Sequence, residues 1–139
     1  MTELSKYKNM QIKFRKSKLW ELVKIFFPDA DLKRAWITFG RTIWSPGTFE
    51  QDVIQHELVH VGQQRNWKRA IIWWIKYIRD KKFRYSQELP AYQAQFDFLK
   101  TRYKDRNVQS RIKLDIAGIM SGKMYNGMVG IDQALRDLK

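Results

Sequence analysis

Two histidines flank a glutamate in the stretch His56-Glu57-Leu58-Val59-His60, and they are the only 2 histidines in the chain. On a helix, residues four apart project from the same face, one above the other. Both imidazoles then reach a single ion at about 2.0–2.1 Å. Glu57, next to the first of them, is placed to take a proton from water at that ion without ligating it. The neighbours Val53, Ile54, Gln55, Leu58, Val59 and Val61 are uncharged, as a helix running beneath a cleft requires. By composition such a pentapeptide arises in a chain of this size only roughly a few times per thousand. The competing reading is two ordinary histidines on an ordinary helix. It has to explain why both fall at this spacing and none lies elsewhere. The chemistry implied is metal-assisted hydrolysis.

A catalytic zinc takes three protein ligands and keeps its fourth position open. The chain has no cysteine and no further histidine, so a carboxylate is expected to complete the set. Glu88 is the first candidate. It lies far enough beyond His60 for the chain to end one helix, build a second and return, and the small Ala91 one turn later would let its helix press close. The other reading of Glu88 is an acidic residue at the positive end of a helix dipole. Asp80 and Asp97 are weaker alternatives, with no small residue one turn on. For stabilising a developing oxyanion, a role often filled by a tyrosine hydroxyl, Tyr92, Tyr85 and Tyr125 are all candidates, and each also reads as an ordinary core or surface aromatic.

His56-Glu57-x-x-His60 followed by Glu88-x-x-Ala91 resembles the gluzincins, metallopeptidases whose third zinc ligand is a glutamate on a later helix. More narrowly, His56-Glu57-Leu58-Val59-His60-Val61-Gly62-Gln63 is similar to the small bacterial and phage-encoded minimal gluzincins with a His-Glu-Leu-x-His-x-x-Gln core. The resemblance spans residues 36–95. It implies zinc held by His56, His60 and Glu88, Glu57 as the catalytic base, and water attacking a peptide carbonyl. The segment 36–44 would correspond to the strands bordering the cleft. This chain departs from the pattern in carrying Pro90 within Glu-x-x-Ala.

The elements that must position these residues can be read from periodicity. Residues 10–15 alternate apolar and polar, which predicts a strand. Leu19, Trp20, Val23, Phe26 and Phe27 recur at helical spacing up to Pro28-Asp29. Residues 36–39 and 42–44 flank Gly40-Arg41, and Gly at the first central position predicts a type II′ hairpin. Thr48 is the expected N-cap of the His56 helix, with Gln51 closing a capping box and Glu50 and Asp52 at the positive end. This helix should run to about Arg65. A second is expected over 68–79, a third from near Gln87 to about Tyr103 with Pro90 in its first turn, a fourth along Val108, Ile112, Ile116 and Ile119, and a short one from Ile131. The expected fold is α+β and mostly helical, a zincin-like minimal metallopeptidase with a small hairpin or sheet before the key helix, in one domain over 1–139.

At 139 residues with 44% hydrophobic and 14% aromatic content, the chain can build a core, which argues against global disorder. Residues 1–18 are polar and basic, without the apolar core of a secretory signal, and the run 70–75 is far too short to span a bilayer. A cytoplasmic location is therefore expected. The net charge of +13 attracts polyanions, so nucleic acid or an anionic surface is a possible partner. The alternative function is a basic nucleic-acid- or anionic-surface-binding module with a structural or vestigial metal site, using Arg102, Lys104, Arg106, Arg111 and Lys113 on phosphates. No recognised nucleic-acid motif supports it. Residues 68–79 carry too much apolar surface for a simple amphipathic helix. They are expected to be buried on most sides or in a dimer interface, the competing reading being a membrane-surface helix.

Overall fold

The computed structural model describes residues 11–13, 19–29, 35–46 and 50–139. It is an α+β arrangement dominated by helices. Strand β1 (Gln11–Lys13) and helix α1 (Leu19–Phe26) precede β2 (Ile37–Phe39) and β3 (Thr42–Trp44). The helices α2 (Gln51–Gln64), α3 (Trp67–Arg79), α4 (Lys81–Arg102), α5 (Arg106–Met120) and α6 (Ile131–Asp137) follow, with a 3₁₀ turn at Lys123–Tyr125. The strands form one sheet in the order β1-β3-β2, with β1 parallel to β3 (Ile12 opposite Ile43) and β2 antiparallel to it (Thr38 opposite Ile43). The expected hairpin is thus present, and the first strand joins it.

The hairpin turn is built as its glycine predicts. Gly40 has φ +61, while Arg41 is not among the residues of positive φ, which is the type II′ signature. A Cβ on Gly40 would stand 3.2 Å from the Trp67 nitrogen, so the turn also presses onto the backbone after α2. Gln64, fully buried at the end of α2, ties the two together: its Oε1 accepts from Gly40 N at 2.7 Å and its Nε2 donates to the Thr38 carbonyl at 3.1 Å.

The start of α2 departs from expectation. Its N-cap is Glu50, which makes no side-chain cap bond, and Thr48 lies outside the described residues. Gln51 and Asp52 tie α2 to α4. Gln51 Oε1 accepts from Arg102 Nη2 at 2.6 Å, and Asp52 Oδ2 accepts from Gln95 Nε2 at 2.9 Å.

Helix α4 starts six residues earlier than expected (Lys81 against Gln87), because Asp80 is a strong N-cap whose carboxylate accepts from the Lys82 and Phe83 amides. Pro90 therefore lies inside the helix and not in its first turn. The carbonyl it leaves unpaired belongs to Ser86, which is exposed, so water can satisfy it. Ala91 is fully buried and lets α4 pack closely. Trp73, Tyr77, Tyr92, Phe96, Ile116 and Met120 form the centre of the core, with Phe27 joining from the end of α1. Helix α3 is buried on one face only, not on most sides: Ala70, Trp73 and Tyr77 point inward, while Trp67, Ile71, Ile72 and Ile75 are exposed. Among the described residues no helix is long and apolar enough to cross a membrane.

Candidate metal centre

Helix α2 carries His56, Glu57 and His60, and α4 packs across it with Glu88 two turns from its start. Glu88 is consequently not a helix-dipole residue. His56, Glu57, His60 and Glu88 are all buried, at 3–5% exposure, on a cavity of about 370 Å³ that all four line. His56 Nε2 lies 3.1 Å from His60 Nε2, and Glu88 Oε2 lies 3.0 Å and 3.3 Å from those two nitrogens. Ligand atoms about 2.0–2.1 Å from one ion in a tetrahedral set stand about 3.3 Å apart, so the three atoms are spaced as the ligands of one metal ion are. Apart from the two imidazole nitrogens, Glu88 Oε2 is buried with no hydrogen-bond partner, and a cation at this point would supply one. Among the described residues this is the group of three that could hold a metal.

Hydrogen bonds orient His60 and Glu88. Gln63 Nε2 donates to the Gln87 carbonyl at 2.9 Å, which turns its Oε1 toward His60 Nδ1, also at 2.9 Å. That oxygen requires a proton on Nδ1, and neutral His60 then offers its Nε2 lone pair to the ion. On the glutamate, Tyr77 donates its hydroxyl to Oε1, which leaves Oε2 as the oxygen that could hold a metal. Burial, and then the Glu88 charge, push the Tyr77 hydroxyl well above its ordinary range, so it remains a donor. The buried Arg84 guanidinium lies 5.6 Å over the Tyr77 ring and 5.1 Å over Phe27, and its charge opposes part of that rise. Trp73 stands edge-on to His60 at 5.3 Å, and Tyr92 to His56 at 4.3 Å.

Charge in the cluster is strongly coupled. Burial would lower His60, but the Glu88 carboxylate outweighs it, with Glu57 and Gln63 adding to the effect, and raises the imidazole from 6.5 to about 9. Burial would raise Glu88, but the two imidazoles hold its carboxyl well below the ordinary range.

Glu57 belongs to the same cavity and has its own support. Thr38 Oγ1, from β2, donates to Glu57 Oε2 at 2.6 Å. Of the tyrosines, Tyr92 and Tyr125 line the cavity and share a hydroxyl–hydroxyl bond of 2.6 Å. Burial and the Glu88 charge raise both far enough that they stay protonated. Tyr85 does not reach the cavity; its hydroxyl donates to Asp137 at 2.5 Å. Asp80 and Asp97 are also outside the cluster: Asp80 caps α4, and Asp97 accepts from Gln93 and Lys100. Of the basic residues late in the chain, Arg102, Lys104, Arg106 and Arg111 are exposed and Lys113 is half-buried.

Sequence reasoning missed Thr38, Tyr77 and the role of Gln63. Tyr77 had a readable signal, since Ala70, Trp73 and Tyr77 fall at helical spacing on one face of α3. Thr38 had none, because its partner lies across a tertiary contact. Comparison with protein-family models, curated proteins and solved structures gives no match.

Proposed function

We propose that this chain is a zinc-dependent peptidase of the gluzincin kind, with a zincin-like fold, in which His56, His60 and Glu88 hold the metal and Glu57 is the general base. The observation that carries the reading is the convergence of three buried ligand atoms within 3.0–3.3 Å of one another on a cavity that Glu57 also lines. Two imidazoles and one carboxylate are a zinc donor set, and with two nitrogens and few hard oxygens they fit zinc better than magnesium or calcium. When bound, zinc supplies a Lewis acid that polarises a carbonyl and makes water acidic near neutral pH.

The chain's own residues supply the remainder. Glu57 accepts a proton from the attacking water and returns it to the leaving amine, held in place by the Thr38 hydroxyl. Tyr92 and Tyr125 hold two hydroxyl protons between them, and their mutual bond uses one. The second is available to a developing oxyanion in the cavity. The walls from Phe27, Trp36, Trp73, Trp74 and Ile119 suit an apolar side chain beside the scissile bond.

The test pairs elemental analysis with cleavage of casein by the parent chain and by Glu57→Gln. Stoichiometric zinc in both proteins with cleavage by the parent alone is the expected result. Zinc in neither protein, or equal cleavage by both, refutes the reading.

A further inference from the structure

Helix α3 has two working faces. Inward, Trp73, Trp74 and Tyr77 line the cavity of the metal centre. Outward, Lys68, Ile72, Ile75 and Arg79 recur at spacings of four, three and four, so they share one face. Ile71 lies one turn before Ile75, and Trp67 begins the helix. The apolar members are well exposed: Trp67 60%, Ile71 44%, Ile72 57% and Ile75 48%. This makes a strip about 16 Å long with apolar side chains in the middle and a cation at each end.

The charge around the strip has one sign. Between 67 and 82 the chain carries Lys68, Arg69, Lys76, Arg79, Lys81 and Lys82, all exposed, against the single acid Asp80. The Asp80 carboxylate is already engaged by the Lys82 and Phe83 amides. A second copy of the chain is a poor occupant, because two-fold pairing would set this cationic strip against itself. Duplex DNA accounts for the cations but offers nothing to three isoleucines and a tryptophan. An anionic bilayer matches both parts: isoleucines enter the boundary of the acyl region, tryptophan sits at headgroup depth, and long basic stems reach the lipid charges.

We propose that the outward face of α3 docks the protein on anionic lipid bilayers, which holds the cavity beside the membrane and directs it to membrane-associated polypeptides. The lipid contact stands on the exposed strip alone; the substrate class rests on the peptidase reading. Neither half of the strip suffices by itself, since stable interfacial binding takes an apolar and an electrostatic contribution together.

The test is flotation of the full chain with phosphatidylcholine vesicles, with and without about 30% phosphatidylserine, at about 0.15 M salt. The parent should float with the anionic vesicles and not with the neutral ones. The triple replacement Ile71→Gln, Ile72→Gln, Ile75→Gln keeps the net charge and should weaken binding at least about tenfold. Because the chain has no cysteine, Ile72→Cys also accepts a polarity-sensitive label at one place. Its emission should shift to the blue on anionic vesicles, and that of a label at Asn107→Cys on α5 should not. Unchanged binding of the triple variant would assign the effect to diffuse charge and overturn the proposal, as would an unshifted label at position 72. So would a parent that sediments as a dimer which the triple variant breaks, because the strip would then belong to a second copy. Flotation is read without catalysis, so failure to bind lipid leaves the peptidase reading intact, and a protein that cleaves nothing can still float.

Discussion

Thr38 and Glu57, 19 residues apart in the chain, meet in a 2.6 Å hydrogen bond that joins the hairpin to the helix of the two histidines. The strand contributes a side chain that donates to the proposed base, and so constrains the orientation of its carboxylate. Thr38→Val keeps the branched shape and removes the hydroxyl. It should lower kcat by about tenfold or more and leave zinc content unchanged, with a stability loss of about 1 kcal/mol. Steady-state kinetics beside metal analysis check this; an unaltered kcat would mean the bond is only structural.

Ligand, base and supporting residue separate by what each variant loses. His56→Ala, His60→Ala and Glu88→Ala should each fail to retain zinc through dialysis. Glu57→Gln should retain it and lose turnover by about 10²–10⁴-fold. Tyr77→Phe removes only the hydroxyl that donates to Glu88 Oε1. It should weaken zinc affinity by about 10–100-fold, the usual cost of an outer-sphere partner. Competition with a chromophoric chelator measures all five. Zinc lost from Glu57→Gln but kept by Glu88→Ala would reverse the assigned roles.

These roles were unequally visible in the sequence. His56, Glu57 and His60 are a local pattern on one turn of helix, and local patterns survive without knowledge of the fold. Glu88 is reached by excluding other ligand types, but its position within α4 is not, because residue type favours a helix start near Gln87 that puts Pro90 in the first turn, and the Asp80 cap sets the start at Lys81. Near the start of α2, Gln51 and Asp52 are engaged by Arg102 and Gln95 of α4, tertiary contacts that local sequence cannot show. Burial of α3 on most sides is expected from the sequence but is not found, for a related reason. Isoleucine and tryptophan read as core, and only packing decides which of several apolar residues face inward.

Gln64 and Gly40 form the clip that seats the hairpin on α2, and both should be intolerant of change. Gln64→Leu strands the Gly40 amide and removes a donor from the Thr38 carbonyl, a loss of about 2–4 kcal/mol. Gly40→Ala forces a side chain into φ +61 and to 3.2 Å from the Trp67 nitrogen, at about 1–2 kcal/mol for the backbone alone. Urea unfolding of the metal-free proteins reports both. Midpoints equal to the parent's would show that the hairpin does not depend on this clip.

In the proposed site zinc and protons would compete for His60, and the sign of that competition would set how stability depends on pH. In the metal-free chain His60 is raised from 6.5 to about 9, so its contribution is fully present below 6.5 and is lost as pH rises through about 9. Glu88 is lowered from 4.5, so its contribution is present above 4.5 and is lost as the solution is acidified further. The metal-free protein should therefore gain most from this pair between 4.5 and 6.5 and weaken from there toward pH 9. Zinc needs the His60 lone pair, so below about pH 9 its binding must expel that proton, and its affinity should fall by about tenfold for each pH unit of acidification. The shift in Tm on adding zinc should consequently grow from pH 6.5 to 9. Calorimetry at pH 7 in buffers of different ionisation enthalpy should show about one proton released per zinc bound. A zinc-induced Tm shift that is flat or falls over this range would mean that His60 does not carry the proton, and that the cation balancing Glu88 is held elsewhere.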